Sequence, residues 1–192
     1  MGQRSQIYLR FNGKLVFASY YQWNYGERMV SRARWGIEWL KNYSEDGKYD
    51  WLFSNKPYVE KMRRVFDVNF DMHDVQISQD IVKEWQEHFH DDPFNDVAFN
   101  WQDNNDGQLF VDIVDGKTYY AFTNYSLDRT IMDAEAYMEW DAPGWQTSEY
   151  LDDKDRAAIR ANFKAISEMA TLMTHEQLND FLTRDYAPKP QF

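Results

Sequence analysis

The chain has 192 residues, 21 Lys and Arg against 32 Asp and Glu, a net charge of −11, and a composition that is 43% hydrophobic and 18% aromatic, with no cysteine. That length supports one domain, 1–192, with a sizeable core, while the missing cysteine excludes disulfides, thiolate metal sites and cysteine nucleophiles. The acidity disfavours direct binding of nucleic acid. No run approaches a membrane span, and "MGQRSQIYLRF" lacks a signal-peptide core, so a cytoplasmic protein with no membrane partner is expected.

In chain order, "SQIYLRFNGKLVFASYY" reads as two strands around Asn12-Gly13, a turn whose central residues both need positive φ. A plain two-residue turn puts Ile7, Leu9, Val16 and Ala18 on one face, with Tyr8, Arg10, Leu15 and Phe17 on the other. Residues 27–43 carry Val30, Ala33, Ile37 and Leu40 at helical spacing. A second stripe of Arg28, Arg32, Trp35 and Trp39 suits either an anion or an internal partner from the acidic part of the chain. Asn55 and Pro57 open a helix that runs to about Phe66. "FDVNFDMH" then alternates as a half-buried strand, with Asp67, Asn69, Asp71 and His73 outward.

Ser78 is a cap for a helix bearing Ile81, Val82, Trp85 and Phe89, which Pro93 ends. "GQLFVDIVDGKTYYAFTNY" is a second hairpin turning at Asp115-Gly116. Ser126 to Trp140 reads as a short helix before a turn at Pro143-Gly144. Asp152 to Met173 is the longest helix, with Ile159, Phe163, Ile166, Ala170 and Met173 inward. Thr174 and Gln177 form a capping box for a last helix through Leu182. The expected fold is α+β, an antiparallel sheet built from hairpins and packed with several helices.

Charge is distributed in blocks. Residues 1–66 carry +6, residues 67–153 carry −18, and residues 154–192 carry +1. The middle block alternates its carboxylates with Phe, Val, Trp and Tyr, which a disordered acidic tail lacks. It therefore predicts an ordered acidic face that attracts basic surfaces. Asp67, Asp71, Glu84, Glu87, Asp91, Asp92 and Asp96 are its candidate partner-binding residues.

"EWQEHFHDD" places His88 and His90 two apart. On a helix they point to nearly opposite sides, and they converge only on extended chain. With His73 they form a candidate set for zinc or another divalent ion, the basis of an alternative reading as a metal-dependent hydrolase. No cofactor is otherwise expected. "DNNDGQL" fails as a calcium loop, because Gln102 and Ile113 occupy positions that need acidic ligands. A second alternative is a carbohydrate-binding domain with Trp101, Trp140 or Trp145 as sugar platforms.

The segments "GQRSQIYLRFNGK" and "QWNYGERMVSRARWGIEWL" resemble the start of small acidic proteins carried by phages and mobile elements of Gram-positive bacteria. Anti-CRISPR inhibitors of type II RNA-guided nucleases are among such proteins. The resemblance implies a non-enzymatic inhibitor that binds the basic nucleic-acid channel of a nuclease with carboxylates in place of phosphates. Outward carboxylates on one strand lie about 6.8 Å apart, whereas duplex DNA carries one charge per ~1.7 Å. One strand is too dilute to imitate a duplex, so residues from the adjoining segment must contribute.

Overall fold

A computed structural model describes residues 3–22, 24–42, 105–124 and 129–184. Strands β1 (Arg4–Phe11) and β2 (Lys14–Gln22) form the first hairpin, and helix α1 (Gly26–Lys41) follows. Strands β3 (Gln108–Val114) and β4 (Lys117–Thr123) form the second hairpin. The short strand β5 (Ile131–Met132) leads into α2 (Ala134–Asp141), a 3-10 turn (Trp145–Thr147) and α3 (Asp153–Met169). The chain ends its described course with β6 (Thr171–Leu172) and α4 (His175–Thr183). Among the described residues no helix is long and apolar enough to cross a membrane.

The fold is α+β, but the sheet is mixed rather than purely antiparallel. Its order is β2-β1-β3-β4-β5, with β6 also on β4. The two hairpins join through β1 and β3, which run parallel, and β4 pairs with β6 in parallel. Local turn signals reveal antiparallel pairs only. The β1–β3 pairing joins residues 102 apart, such as Arg10 and Asp112, and no turn encodes it. β5 and β6 cover the outer edge of β4 at opposite ends, which shields its open hydrogen-bonding groups.

Both hairpin turns have the expected backbone, with Asn12 and Gly13 at φ 45° and 82° and Asp115 and Gly116 at 49° and 76°. The first hairpin departs from a plain ladder. Arg10 pairs with Leu15, but Leu9 pairs with Phe17, so Val16 is an extra residue in β2. The bulge puts Ala18 opposite Tyr8 and Ser19 opposite Ile7, one residue out of the expected register. Val16 nevertheless stays in the core with Ile7 and Leu9.

One face of the sheet packs on helices. Ile7, Leu9, Leu109, Val111, Ile113, Tyr120 and Phe122 meet Val30, Ala33, Ile37 and Leu40 of α1, together with residues of α2 and α3. The stripe expected on α1 is thus its core stripe. The second stripe is not a surface patch, because Arg32, Trp35 and Trp39 are buried as well and Arg28 partly so. Asn162 of α3 donates to Ser31 Oγ at 3.2 Å and accepts from Arg34 Nη1 at 3.1 Å, tying α3 to α1.

Three other elements differ from expectation. Helix α2 begins only at Ala134, because Asp133 accepts from the Ala136 amide at 2.8 Å and fixes the start there. Ile131 and Met132 are instead a strand on β4. Helix α3 stops at Met169, since Ala170 turns extended and Thr171-Leu172 pair with β4; the Met173 amide then donates to Tyr120 O at 2.8 Å. Its inward residues Ile159, Ile166, Ala170 and Met173 are buried, and Phe163 is half-buried. The capping box at Thr174 and Gln177 is present as expected. The helices expected at 57–66 and 78–92, and the strand 66–73, lie outside the described residues.

Candidate functional site

The opposite face of the sheet is polar and aromatic. Its floor comes from β1 and β3 in direct register: Gln6 beside Gln108, Tyr8 beside Phe110, Arg10 beside Asp112. Gln108 donates to Gln6 Oε1 at 2.6 Å, Tyr8 donates to the same oxygen at 2.8 Å, and Arg129 donates to Gln108 Oε1 at 2.9 Å. Burial pushes the Tyr8 phenol well above its ordinary range, so it stays a neutral donor. Tyr8 and Phe110 stack at 5.2 Å, and Phe181 of α4 sets its edge on Phe110.

Arg10 anchors this face. Its Nε and Nη2 reach the two carboxylate oxygens of Asp112 at 2.9 and 2.6 Å, a bidentate pair in which both residues are buried. Nη2 also donates to Asp180 Oδ2 at 3.0 Å, and the guanidinium lies 4.5 Å from the Phe181 ring. One arginine thereby fastens α4 to β1 and β3. Burial pushes the Asp180 carboxyl up, but Arg184 and Arg10 outweigh it and hold that carboxyl below its ordinary range.

At the turn end of the sheet these residues floor a cleft of about 680 Å³. Its rim includes Asn12, Asp115 and Lys117, and its wall is α4, with Glu176, Asp180 and Arg184. Cations and carboxylates alternate around it, and Arg10 and Arg184 are already paired with Asp112 and Asp180. The cleft therefore presents mixed charge rather than a field of one sign.

A second candidate is an acidic stretch of chain, against which Arg156 and Arg160 of α3 also pack. From Ile131 to Asp153 the chain carries seven carboxylates and no Lys or Arg. Asp133, Glu135, Glu139, Glu149, Asp152 and Asp153 are exposed. Glu135 and Glu139 share one side of α2, four residues apart. Two rings stand among them: Trp140 is 36% exposed and Tyr150 is 96% exposed. The Asp152 carboxyl is held below its ordinary range by the backbone amides it caps.

This shoulder is held rigid from within. Glu139 accepts from Trp145 Nε1 at 2.8 Å and from Gln146 Nε2 at 3.0 Å, pinning the 3-10 turn to α2. Arg156 donates to the carbonyls of Gln146 and Ser148, each at 2.8 Å, and to Asp153 at 3.3 Å. A surface ordered before binding loses less conformational entropy when a partner docks.

The candidate residues Asp67, Asp71, Glu84, Glu87, Asp91, Asp92 and Asp96 lie outside the described residues, as do His73, His88 and His90. Among the described residues no group of three or more His, Asp or Glu comes together. Of the ring platforms, Trp101 also lies outside. Trp145 is buried under Arg160, so its face is not open to a sugar, and Trp140 is partly exposed. The shoulder falls inside the acidic block read from the sequence, and its carboxylates lie outside the set 67–96 expected to bind a partner. The absence of Lys and Arg over 131–153 was the available signal. Comparison with protein-family models, with curated proteins and with solved structures finds no match to this chain.

Proposed function

We propose that this protein is a non-enzymatic inhibitor that binds a basic, nucleic-acid-handling protein through its acidic middle segment and blocks DNA binding. An RNA-guided nuclease of type II is the foremost partner. The observation that carries this reading is the shoulder 131–153, a stretch of chain without Lys or Arg in which six exposed carboxylates accompany exposed Trp140 and Tyr150. Carboxylates facing a basic channel steer the encounter. Screening over about 8 Å at physiological salt requires close contact, and the rings supply affinity that salt does not remove.

The burial of basic groups supports the same reading. Among the described residues Arg10, Arg32 and Arg129 are buried, set against two buried carboxylates, Asp106 and Asp112, so slightly more positive than negative charge is withdrawn from the surface. In this proposal Asp67, Asp71, Glu84, Glu87, Asp91, Asp92 and Asp96 add their carboxylates to the contact with the basic partner. The test is DNA cleavage by type II RNA-guided nucleases, titrated with the protein at two salt concentrations. Inhibition that weakens as salt rises is expected. Full cleavage with nucleases from several hosts, at saturating protein, would overturn the proposal.

A further inference from the structure

The cleft between α4 and the two hairpin turns has walls that are tied to one another. The Asn12 amide donates to Ile113 O at 2.8 Å, and the Asp115 amide donates to Asn12 Oδ1 at 3.2 Å, which joins the two turns. Arg184 of α4 reaches the first turn, where a Cβ added at Gly13 would lie 3.4 Å from Arg184 Nη1. The floor is the buried Arg10–Asp112 pair. At about 680 Å³ the cleft falls within the range that small-molecule sites occupy.

The charges that line it divide into two sets. Arg10, Asp112, Asp180 and Arg184 are engaged with one another. Asp115, Lys117 and Glu176 are exposed, and their charged groups have no partner among the described residues. Asp115 and Lys117 flank Gly116 in the second turn, whereas Glu176 lies in the first turn of α4, so the three come from two walls. The half-buried Tyr119 lines the same cleft from β4. The unengaged set is therefore one cation, two anions and a ring. Its complement is a small molecule with two cations and one anion.

We propose that this cleft binds a free basic α-amino acid, with arginine as the type case. The α-carboxylate pairs with Lys117. The α-ammonium and the side-chain cation divide between Asp115 and Glu176, and the Tyr119 ring offers a π face to the guanidinium. A neutral amino acid leaves one carboxylate of the cleft unpaired, and an acidic one sets a further anion against it. Because the three charged groups are exposed, each contact is modest and the affinity is low. The site uses no residue of the acidic shoulder and stands apart from the proposed inhibition.

The test is an amide-detected NMR titration of the full chain with arginine at constant ionic strength, with citrulline, N-acetylarginine and glutamate as controls. Arginine should saturate with a Kd of about 1 mM or below, and should move the amides of the two turns and of the first turn of α4. Citrulline lacks the side-chain charge and N-acetylarginine lacks the ammonium, so each should bind about threefold more weakly or worse. Glutamate should bind more weakly still. Lys117→Gln and Glu176→Gln, both at exposed positions, should each weaken arginine by a similar factor. Failure of arginine to saturate would overturn the proposal. So would equal binding of arginine and citrulline, shifts centred on the acidic shoulder, or an affinity for arginine unchanged in both variants.

Discussion

The two faces of the sheet come from the same strands yet are stabilised in different ways. On the α1 face, Leu109, Val111 and Phe122 meet aliphatic and aromatic side chains, and removal from water supplies the stabilisation. On the α4 face, the alternate residues Gln108, Asp112 and Arg10 are also buried, but each must be hydrogen-bonded to be tolerated there. The first face tolerates any well-packed shape, whereas the second demands particular partners. That contrast says which substitutions each face will accept.

The largest effect is expected on the apolar face. Phe122 is fully buried and stacks on Tyr137 at 4.6 Å, so Phe122→Ala should cost about 3–5 kcal/mol in urea unfolding. On the polar face, Asp112→Ala takes from buried Arg10 its bidentate partner while the half-exposed Asp180 remains, and should cost about 3 kcal/mol. The double variant Arg10→Met, Asp112→Leu should recover much of that loss, because two apolar groups leave no charge stranded. Recovery would show that this face needs matched partners rather than charge as such. A double variant no more stable than Asp112→Ala would break the distinction.

Asp141 is a polar group on the helical side, and it sharpens the comparison through pH. Its folded value, raised by burial from 3.8 to about 6, means that the folded state binds the proton more tightly than the unfolded state. Stability therefore falls as pH rises through that window, and the penalty is complete above it. Asp141→Asn removes the penalty, so it should be about 1–2 kcal/mol more stable than wild type at pH 7, after allowance for partial exposure. Thermal unfolding near pH 4 should show the two proteins converging. The smallest effect belongs to the shoulder. Glu149→Lys, at an exposed position, should change stability by no more than about 0.5 kcal/mol.

What could be read from the sequence was local. The turns at Asn12-Gly13 and Asp115-Gly116, the capping box at Thr174 and the inward stripe of α1 each follow from residues within a few positions of one another. The bulge at Val16 has no such mark, because register there answers to the packing of Ile7 and Leu9. The parallel joint of β1 and β3 and the Arg10–Asp112 pair depend on contacts about a hundred positions apart. The same holds for Asp141, whose partner Gly26 is 115 residues away. The acidic character of the middle segment was legible in composition, while the particular exposed residues of the shoulder emerged only once α2 and α3 were placed.

The most direct measurement on the acidic shoulder is equilibrium binding of the full chain to a catalytically inactive type II nuclease at two ionic strengths. Wild type would be compared with a variant carrying Glu135→Lys, Glu149→Lys and Tyr150→Ala, three exposed positions. Binding that weakens with salt, and that falls by about tenfold or more in the variant, is the predicted result. Equal affinity of the two proteins at both ionic strengths would contradict a role for the shoulder.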